Sequence, residues 1–294
     1  MYKSGFVTII GRTNVGKSTL LNALLGEKIS IISNKPQTTR NEIKGILSGD
    51  GYQIIFLDTP GLHKPKNKLS EFMIKTALNT LEEVDCILFM VEADSDVGAG
   101  DRYIAGLLKD VKTPIILVLN KIDKVSEDVL KERIEAYKEL GNFKNVLWIS
   151  AEKGQNLKEL VDAIKEVLPE GPQYFPEDMV TDQPERNIIS ELIREKMLYF
   201  LKEEVPHGTA VDIESIKYIE EKGLVDINAT IYCEKDSHKM IIIGKNGSMI
   251  KKIGTAARLD IERLLGSKVF LELWVKVKKD WRNDEKILKI LGYH

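Results

Sequence analysis

A chain of 294 residues is longer than one typical domain and points to two. With 43% apolar and 30% charged residues it has the balance of an ordinary soluble globular protein, and no apolar run reaches the length that spans a bilayer. Cys86 and Cys233 stand alone and far apart, and His63, His207, His238 and His294 form no ligand-spaced cluster, so a disulfide framework and a transition-metal site are both excluded from the reading. The N-terminal residues show no signal-peptide pattern, and a cytoplasmic location is expected.

The net charge of −2 conceals an asymmetry: residues 239–294 carry 13 Lys or Arg against 6 Asp or Glu. A basic end on an acidic body suits an anionic partner such as nucleic acid or lipid, and equally suits a solvated helix face.

In chain order, residues 1–168 alternate β-rich apolar runs with amphipathic helical patterns. Strands are expected at Phe6–Ile10, Ile43–Leu47, Ile54–Leu57, Cys86–Val91, Ile115–Leu119 and Val146–Ile149. Helices fall between them, as at Ser126–Leu140 and Asn156–Leu168. Such alternation implies a mostly parallel sheet with helices on both faces and ligands at the carboxyl ends of its strands. A Pro-rich stretch then reads as a linker over residues 169–185. Beyond it, a helix at Arg186–Glu204, strands at Val211–Ile219 and Leu224–Tyr232, helix–loop–helix across Met240–Leu265, a strand Val269–Val277 and a short last helix form a smaller α+β domain over residues 186–294.

The chemistry begins at Gly11-Arg12-Thr13-Asn14-Val15-Gly16-Lys17-Ser18, between the first strand and the helix opening at Thr19. In G-x-x-x-x-G-K-S the glycines let successive N–H groups face phosphate oxygens, and the helix adds its positive N-terminal end. Lys17 reaches the β- and γ-phosphates, and the Ser18 hydroxyl suits Mg²⁺. Asp58-Thr59-Pro60-Gly61, at the end of another strand, supplies a carboxylate to hold Mg²⁺ through water and a Gly61 N–H for the γ-phosphate.

Asn120-Lys121-Ile122-Asp123 follows the fifth strand. Guanine presents N1–H and N2–H₂ side by side, and the acceptor-only carboxylate of Asp123 matches both. Adenine has a bare N1 and no 2-amino group, so the pattern selects GTP over ATP. Ser150-Ala151-Glu152-Lys153-Gly154 follows the next strand and can place a backbone N–H on guanine O6.

These boxes, with Thr38-Thr39, resemble those of translation-factor-class P-loop GTPases, and Pro36-Gln37-Thr38-Thr39-Arg40 resembles the first switch of their Era/TrmE-like branch. The resemblance implies that one threonine closes on Mg²⁺ when the γ-phosphate is present. Thr38 and Thr39 are both candidates, with Thr39 favoured. Lys17, Thr39 and Gly61 are then the expected catalytic set. Leu62 stands where many small GTPases carry a water-orienting glutamine. Slow intrinsic hydrolysis is expected, or a water placed by backbone, cation or partner. Asn14 resembles the asparagine by which some relatives hold K⁺ beside the phosphates; it also suits a backbone turn.

Met240–Ile243, then Gly244-Lys245-Asn246-Gly247, then an amphipathic helix resembles the G-x-x-G clamp of a KH domain, and the element order is that of the type II arrangement. Ile243, Gly244, Lys245, Asn246, Gly247, Lys251, Lys252 and Arg258 are the candidate RNA contacts. Trp281 can stack on a base or fill the core, with core the stronger expectation. The resemblance covers nearly the whole chain. It implies a GTP-hydrolysing, Mg²⁺-dependent, monomeric factor that binds the 3′ end of 16S ribosomal RNA in 30S subunit maturation. Peripheral association with the inner membrane, as a signalling GTPase, and a weakly hydrolysing assembly scaffold are the alternatives.

Overall fold

The structure, a computed structural model, describes residues 2–33, 35, 38–62, 67–81 and 83–293. Pro36 and Gln37 of the expected first switch lie outside the described residues, as do His63 and His294. Two compact units are separated: Met1–Pro65 with Met73–Asp182, and Lys66–Phe72 with Gln183–His294.

In the first unit β1 (Lys3–Ile10), α1 (Lys17–Leu25), β2 (Ile43–Gly49), β3 (Tyr52–Asp58), the part of α2 (Lys68–Asn79) from Met73 on, β4 (Cys86–Glu92), α3 (Ala99–Leu108), β5 (Ile115–Asn120), α4 (Glu127–Lys138), β6 (Asn145–Trp148) and α5 (Leu157–Val167) follow in sequence. The six strands lie in the order β2-β3-β1-β4-β5-β6, and only β2 runs antiparallel to its neighbour. Central strands covered on both faces must be apolar throughout, which is why Cys86-Ile87-Leu88-Phe89-Met90-Val91 and Ile115–Leu119 read as unbroken runs. Period-two alternation sends Val7, Ile9, Phe56 and Leu88 into one core layer and Ile10, Ile55, Phe89 and Leu117 into the other. Parallel strands end at a common edge, so the loops after β1, β3, β4, β5 and β6 converge there.

Local signals placed several ends accurately. Ser126 is the N-cap of α4, its hydroxyl accepting from the Val129 N–H at 3.5 Å, and Asn156 and Leu168 flank α5. The Pro-rich segment lies along the first unit's edge. Val180 O accepts from Ile46 N–H at 2.8 Å, Thr181 Oγ1 donates to Lys44 O at 2.6 Å, and Gln53 Oε1 accepts from the N–H groups of Tyr174 and Phe175. The bonds to Ile46 and Lys44 cover part of the open edge of β2.

The second unit contains α6 (Glu185–Phe200), β7 (Thr209–Ile219), β8 (Leu224–Cys233), α7 (Asp236–Ile243), α8 (Ser248–Leu265), β9 (Lys268–Val277) and α9 (Glu285–Ile290). Its sheet is β7-β8-β9, antiparallel then parallel. α6 ends four residues before the expected Glu204. Leu201 turns to extended backbone (φ −90°, ψ 157°), and Leu201 and Val205 are both buried in the unit's core. Burial of two apolar side chains outweighs the helix propensity of the Lys-Glu-Glu stretch between them. α7 begins at Asp236, ahead of the apolar Met240–Ile243 run, with Asp236 in its first turn. Trp281 is fully buried and its Nε1–H donates to Gly208 O at 3.0 Å, so it is a core residue.

Candidate nucleotide and RNA sites

α1 starts directly on Lys17, with Gly16 before it at φ 104°. That left-handed conformation favours glycine, and a Cβ at Gly16 would stand 2.3 Å from Asn120 Nδ2. The close approach is used: Asn120 Nδ2 donates to Val15 O at 2.8 Å, while its Oδ1 accepts from the Ala151 N–H at 2.9 Å. One buried amide therefore joins the phosphate loop, the β5 loop and the β6 loop. Its sequence reading as a nucleotide contact missed this structural role.

The cavity bounded by these loops measures about 310 Å³, within the range of small-molecule sites. Asn14, Gly16, Lys17, Ser18, Thr19, Thr38, Thr39, Gly61, Asn120, Lys121, Asp123, Ser150 and Glu152 all line it. Gly11, Val15, Asp58 and Ala151 are buried and do not line it. Ile31, Ile32, Ser33 and Lys124 contribute walls that no motif marked.

Lys17 is 6% exposed, and its ammonium donates to Gly11 O at 3.3 Å and Arg12 O at 2.9 Å. Burial lowers its pKa to about 8, against the opposing pull of the Asp58 charge. A cation that has lost its water and holds only carbonyl dipoles is poised for an anionic ligand. Burial likewise raises the pKa of Asp58, which Lys17 and the Ser18 and Ser30 hydroxyls partly offset.

The metal donors can be tested by geometry. Adjacent ligands of octahedral Mg²⁺, at about 2.1 Å from the ion, lie roughly 2.9 Å apart. Ser18 Oγ and Thr39 Oγ1 are separated by 2.9 Å. Asp58 Oδ1 is buried with no hydrogen-bond partner among the described residues, while Oδ2 takes the Ser18 hydroxyl at 2.7 Å. Two hydroxyls and a carboxylate around one point suit a hard cation with oxygen ligands. Thr38 Oγ1 instead donates to Lys35 O at 2.6 Å, which sets Thr39 nearer the site.

At the base end, Ser150 Oγ donates to Asp123 Oδ1 at 2.5 Å and holds its pKa below the usual carboxylate value. The serine box thus orients the carboxylate whose acceptors match guanine. Glu92, at the end of β4, pairs with both Lys121 and Arg12, and Arg12 also meets the buried Asp101 at 2.9 Å. No motif reading found Glu92, because its partners lie 29 and 80 residues away. Leu62 is 5% exposed and belongs to the core beside Ile10 and Leu57, so its side chain offers the attacking water nothing.

In the second unit Gly244 (φ 74°, ψ 171°), Asn246 (φ 52°) and Gly247 (φ 75°) turn the chain into the N-terminus of α8. Beside that turn, Ile250, Lys251, Gly254, Thr255 and Arg258 on α8 face Phe270–Leu273 on β9 across a groove. Lys245, Lys251 and Lys252 are exposed and Ile243 half-buried. Lys252 lies over the Phe200 ring at 4.5 Å, and Arg258 is paired with Glu262 at 2.8 Å. Two of the four candidate cations are thus already engaged within the unit.

A six-stranded, mostly parallel sheet with a phosphate loop and a guanine-matched carboxylate, followed by an α-β-β-α-α-β unit with G-x-x-G, defines the class: a P-loop GTPase carrying a type II KH domain. Residues 6–121 match the family described as 50S ribosome-binding GTPases, and residues 204–282 match the KH domain. GTPase Era of Caldanaerobacter subterraneus subsp. tengcongensis is 62% identical over 292 residues, covering 99% of this chain and 98% of that protein. GTPase Era of Alkaliphilus metalliredigens is 58% identical, covering 99% of each. Among solved structures, an Era in complex with MgGDPNP and nucleotides 1506–1542 of 16S ribosomal RNA superposes with a TM-score of 0.96 at 43% identity, over 100% of this chain and 99% of that one. An Aquifex aeolicus Era variant bound to GDP·AlF₄⁻ gives 0.95 at 43% identity, over 99% of each. The chain belongs to the Era family of GTPases.

Proposed function

We propose that this GTPase couples Mg²⁺-dependent GTP hydrolysis to binding of single-stranded RNA at the 3′ end of 16S ribosomal RNA, acting in maturation of the 30S subunit. The observation that carries the RNA half is the Gly244–Gly247 turn at the head of α8 with an apolar groove beside it. Close backbone approach and a helix N-terminus there suit phosphates, and the groove suits unstacked bases. The 16S fragment in the 43% identical relative favours the small subunit over the large-subunit wording of the broader GTPase family.

In the reaction a water oxygen attacks the γ-phosphorus, the bond to the β–γ bridging oxygen breaks, and GDP and phosphate leave. Lys17 and the loop N–H groups neutralise charge on the transferring phosphoryl. Ser18 and Thr39 would hold the metal directly and Asp58 through water, and the ion supplies charge neutralisation between β- and γ-oxygens. Gly61 N–H meets the γ-phosphate, and Asp123 reads guanine, with Ser150, Ala151 and Glu152 along the base edge. Asn14 is exposed and lines the cavity, where its amide would offer a ligand to a K⁺ beside the phosphates, while its φ of 69° is what a backbone-turn role alone requires. Leu62 is buried, so the water is placed by backbone, cation or partner, and hydrolysis by the chain alone is slow. The same reading places the protein in the cytoplasm as a monomer. Among the described residues no helix is long and apolar enough to cross a membrane.

Affinity for a labelled 16S 3′-end oligonucleotide, measured with GDP and with a non-hydrolysable GTP analogue, tests the coupling. Tighter binding with the analogue is expected, and equal affinities overturn it. Failure to bind the oligonucleotide, with binding to vesicles of anionic lipid instead, overturns the RNA reading in favour of the membrane.

A further inference from the structure

The magnesium-side carboxylate has one supporter that none of the sequence boxes contains. Ser30 lies between α1 and Thr39, is fully buried, and its Oγ donates to Asp58 Oδ2 at 3.0 Å. Oδ2 also receives Ser18 Oγ at 2.7 Å, so this oxygen takes two hydroxyl donors, and Oδ1 has no hydrogen-bond partner among the described residues. The division matters chemically. Ser18 must turn a lone pair to the metal, whereas among the described residues the Ser30 hydroxyl bonds only Asp58.

Ser30 is itself held through both its backbone groups by a single residue, which also holds Ile29. Asn22, on α1, donates from Nδ2 to Ser30 O at 2.7 Å, and its Oδ1 accepts the N–H groups of Ile29 at 3.1 Å and Ser30 at 3.0 Å. A side-chain amide that satisfies three backbone groups of a loop fixes that loop's path, and with it the direction of the Ser30 hydroxyl. The phosphate-loop helix, the stem of the first switch and the end of β3 are thus joined by Asn22, Ser30 and Asp58.

We infer that Ser30 is a positioning residue for magnesium: its hydroxyl holds one oxygen of Asp58 so that the other faces the metal's water. The inference rests on the magnesium site proposed above. Partners that orient a metal-side carboxylate typically change metal affinity by about 10–100-fold when removed. They do so without touching substrate, so nucleotide contacts that do not involve the metal should be untouched.

The test is the dissociation rate of a fluorescent GDP analogue as a function of free Mg²⁺, in the full-length chain, for the native protein, Ser30→Ala, Ser30→Cys and Ser18→Ala. Ser30→Ala is expected to need about tenfold more Mg²⁺ to reach half of the metal-dependent slowing. Its rates in excess EDTA and at saturating Mg²⁺ should match the native protein. Ser30→Cys, with similar volume and a weak donor, should fall between. If Ser30→Ala fails to fold, the cysteine variant carries the test alone.

A shift below twofold in the serine-30 variants overturns the inference, and so does a changed rate in EDTA, which would make Ser30 a prop for the loop only. Ser18→Ala separates the two readings. If it shifts strongly and the Ser30 variants do not, this inference fails alone; if it does not shift, the magnesium site itself falls and the inference with it.

Discussion

The two proposed sites are built to meet phosphate in opposite ways. In the nucleotide cavity the groups are buried and tied to one another: Asn120 joins three loops, Ser150 holds Asp123, Ser18 touches both Thr39 and Asp58, and Lys17 is cut off from water. In the RNA turn the geometry resides in the backbone, through positive φ at Gly244, Asn246 and Gly247, and the lysines around it are exposed. A site for one small ligand can hold its side chains rigidly, because the ligand always presents the same atoms. A clamp on a flexible strand has a constant partner only in the sugar–phosphate chain, so it fixes its own backbone and leaves its charges mobile. Substitutions should therefore act steeply in the first region and gradually in the second.

The largest effect is expected at Lys17. Replacing it with Ala should lower single-turnover GTP hydrolysis by about 10²–10³-fold, the cost of removing one preorganised charge from a transition state. The same lysine sets a pH dependence. Its pKa of about 8 lies below the ordinary 10.5 because the folded chain buries the ammonium. The unliganded protein therefore carries this destabilisation in full below pH 8 and sheds it between pH 8 and 10.5. Phosphate raises the pKa again, so nucleotide binding takes up a proton above pH 8. GDP affinity should fall as pH rises through that window, with proton uptake that calorimetry in two buffers detects. Lys17→Ala should abolish the uptake.

Next in size is Asp123→Asn. Loss of the acceptor pair should weaken GTP binding by about 3 kcal/mol, roughly 100-fold, and move preference toward xanthosine nucleotides, read by competition binding. Retained guanosine preference would mean that the base is read elsewhere in the cavity.

In the clamp, Gly244→Ala tests whether backbone alone carries the site. A Cβ there would stand 2.8 Å from Met249 N at φ 74°, a strain of about 1–3 kcal/mol. Oligonucleotide affinity should drop about tenfold by the same strain, with GTP hydrolysis unchanged. The smallest effects belong to Lys245→Ala and Lys251→Ala. Each should weaken RNA binding only a few-fold and lower the slope of log affinity against log salt by about 0.7 per lost phosphate contact. A loss as steep as that at Asp123 would show that the clamp holds its lysines as rigidly as the nucleotide site holds its carboxylates.

Much of the nucleotide site could be read in advance because its boxes are local. Gly11–Ser18 and Asn120–Asp123 follow apolar runs, and a contiguous motif after a strand places its own backbone. Ser30, Glu92 and the bolt made by Asn120 could not be read that way. Ser30 meets Asp58 across 28 residues and Asn120 meets Val15 across 105, and nothing in a single sequence marks such pairs. The same holds for α6, where Leu201 and Val205 ended the helix by burial although the residues between them favour its continuation. In the clamp, G-x-x-G showed where the turn lies. Which of its cations are engaged within the unit depended on Lys252 settling over Phe200 and Arg258 pairing with Glu262.

By itself the sequence determined the alternation of strand and helix, the five loops at the sheet's carboxyl edge, the choice of guanine, and the presence of a clamp, since each rests on neighbours in the chain or on the chemistry of one side chain. Tertiary structure alone decided which oxygen of Asp58 takes the Ser18 and Ser30 hydroxyls, why Thr39 rather than Thr38 stands beside Ser18, and that Leu62 lies in the core. Those outcomes depend on distances of a few ångströms between segments far apart in sequence, and only the packed sheet, with Asn22, Ser30 and Asn120 joining its loops, brings those segments together.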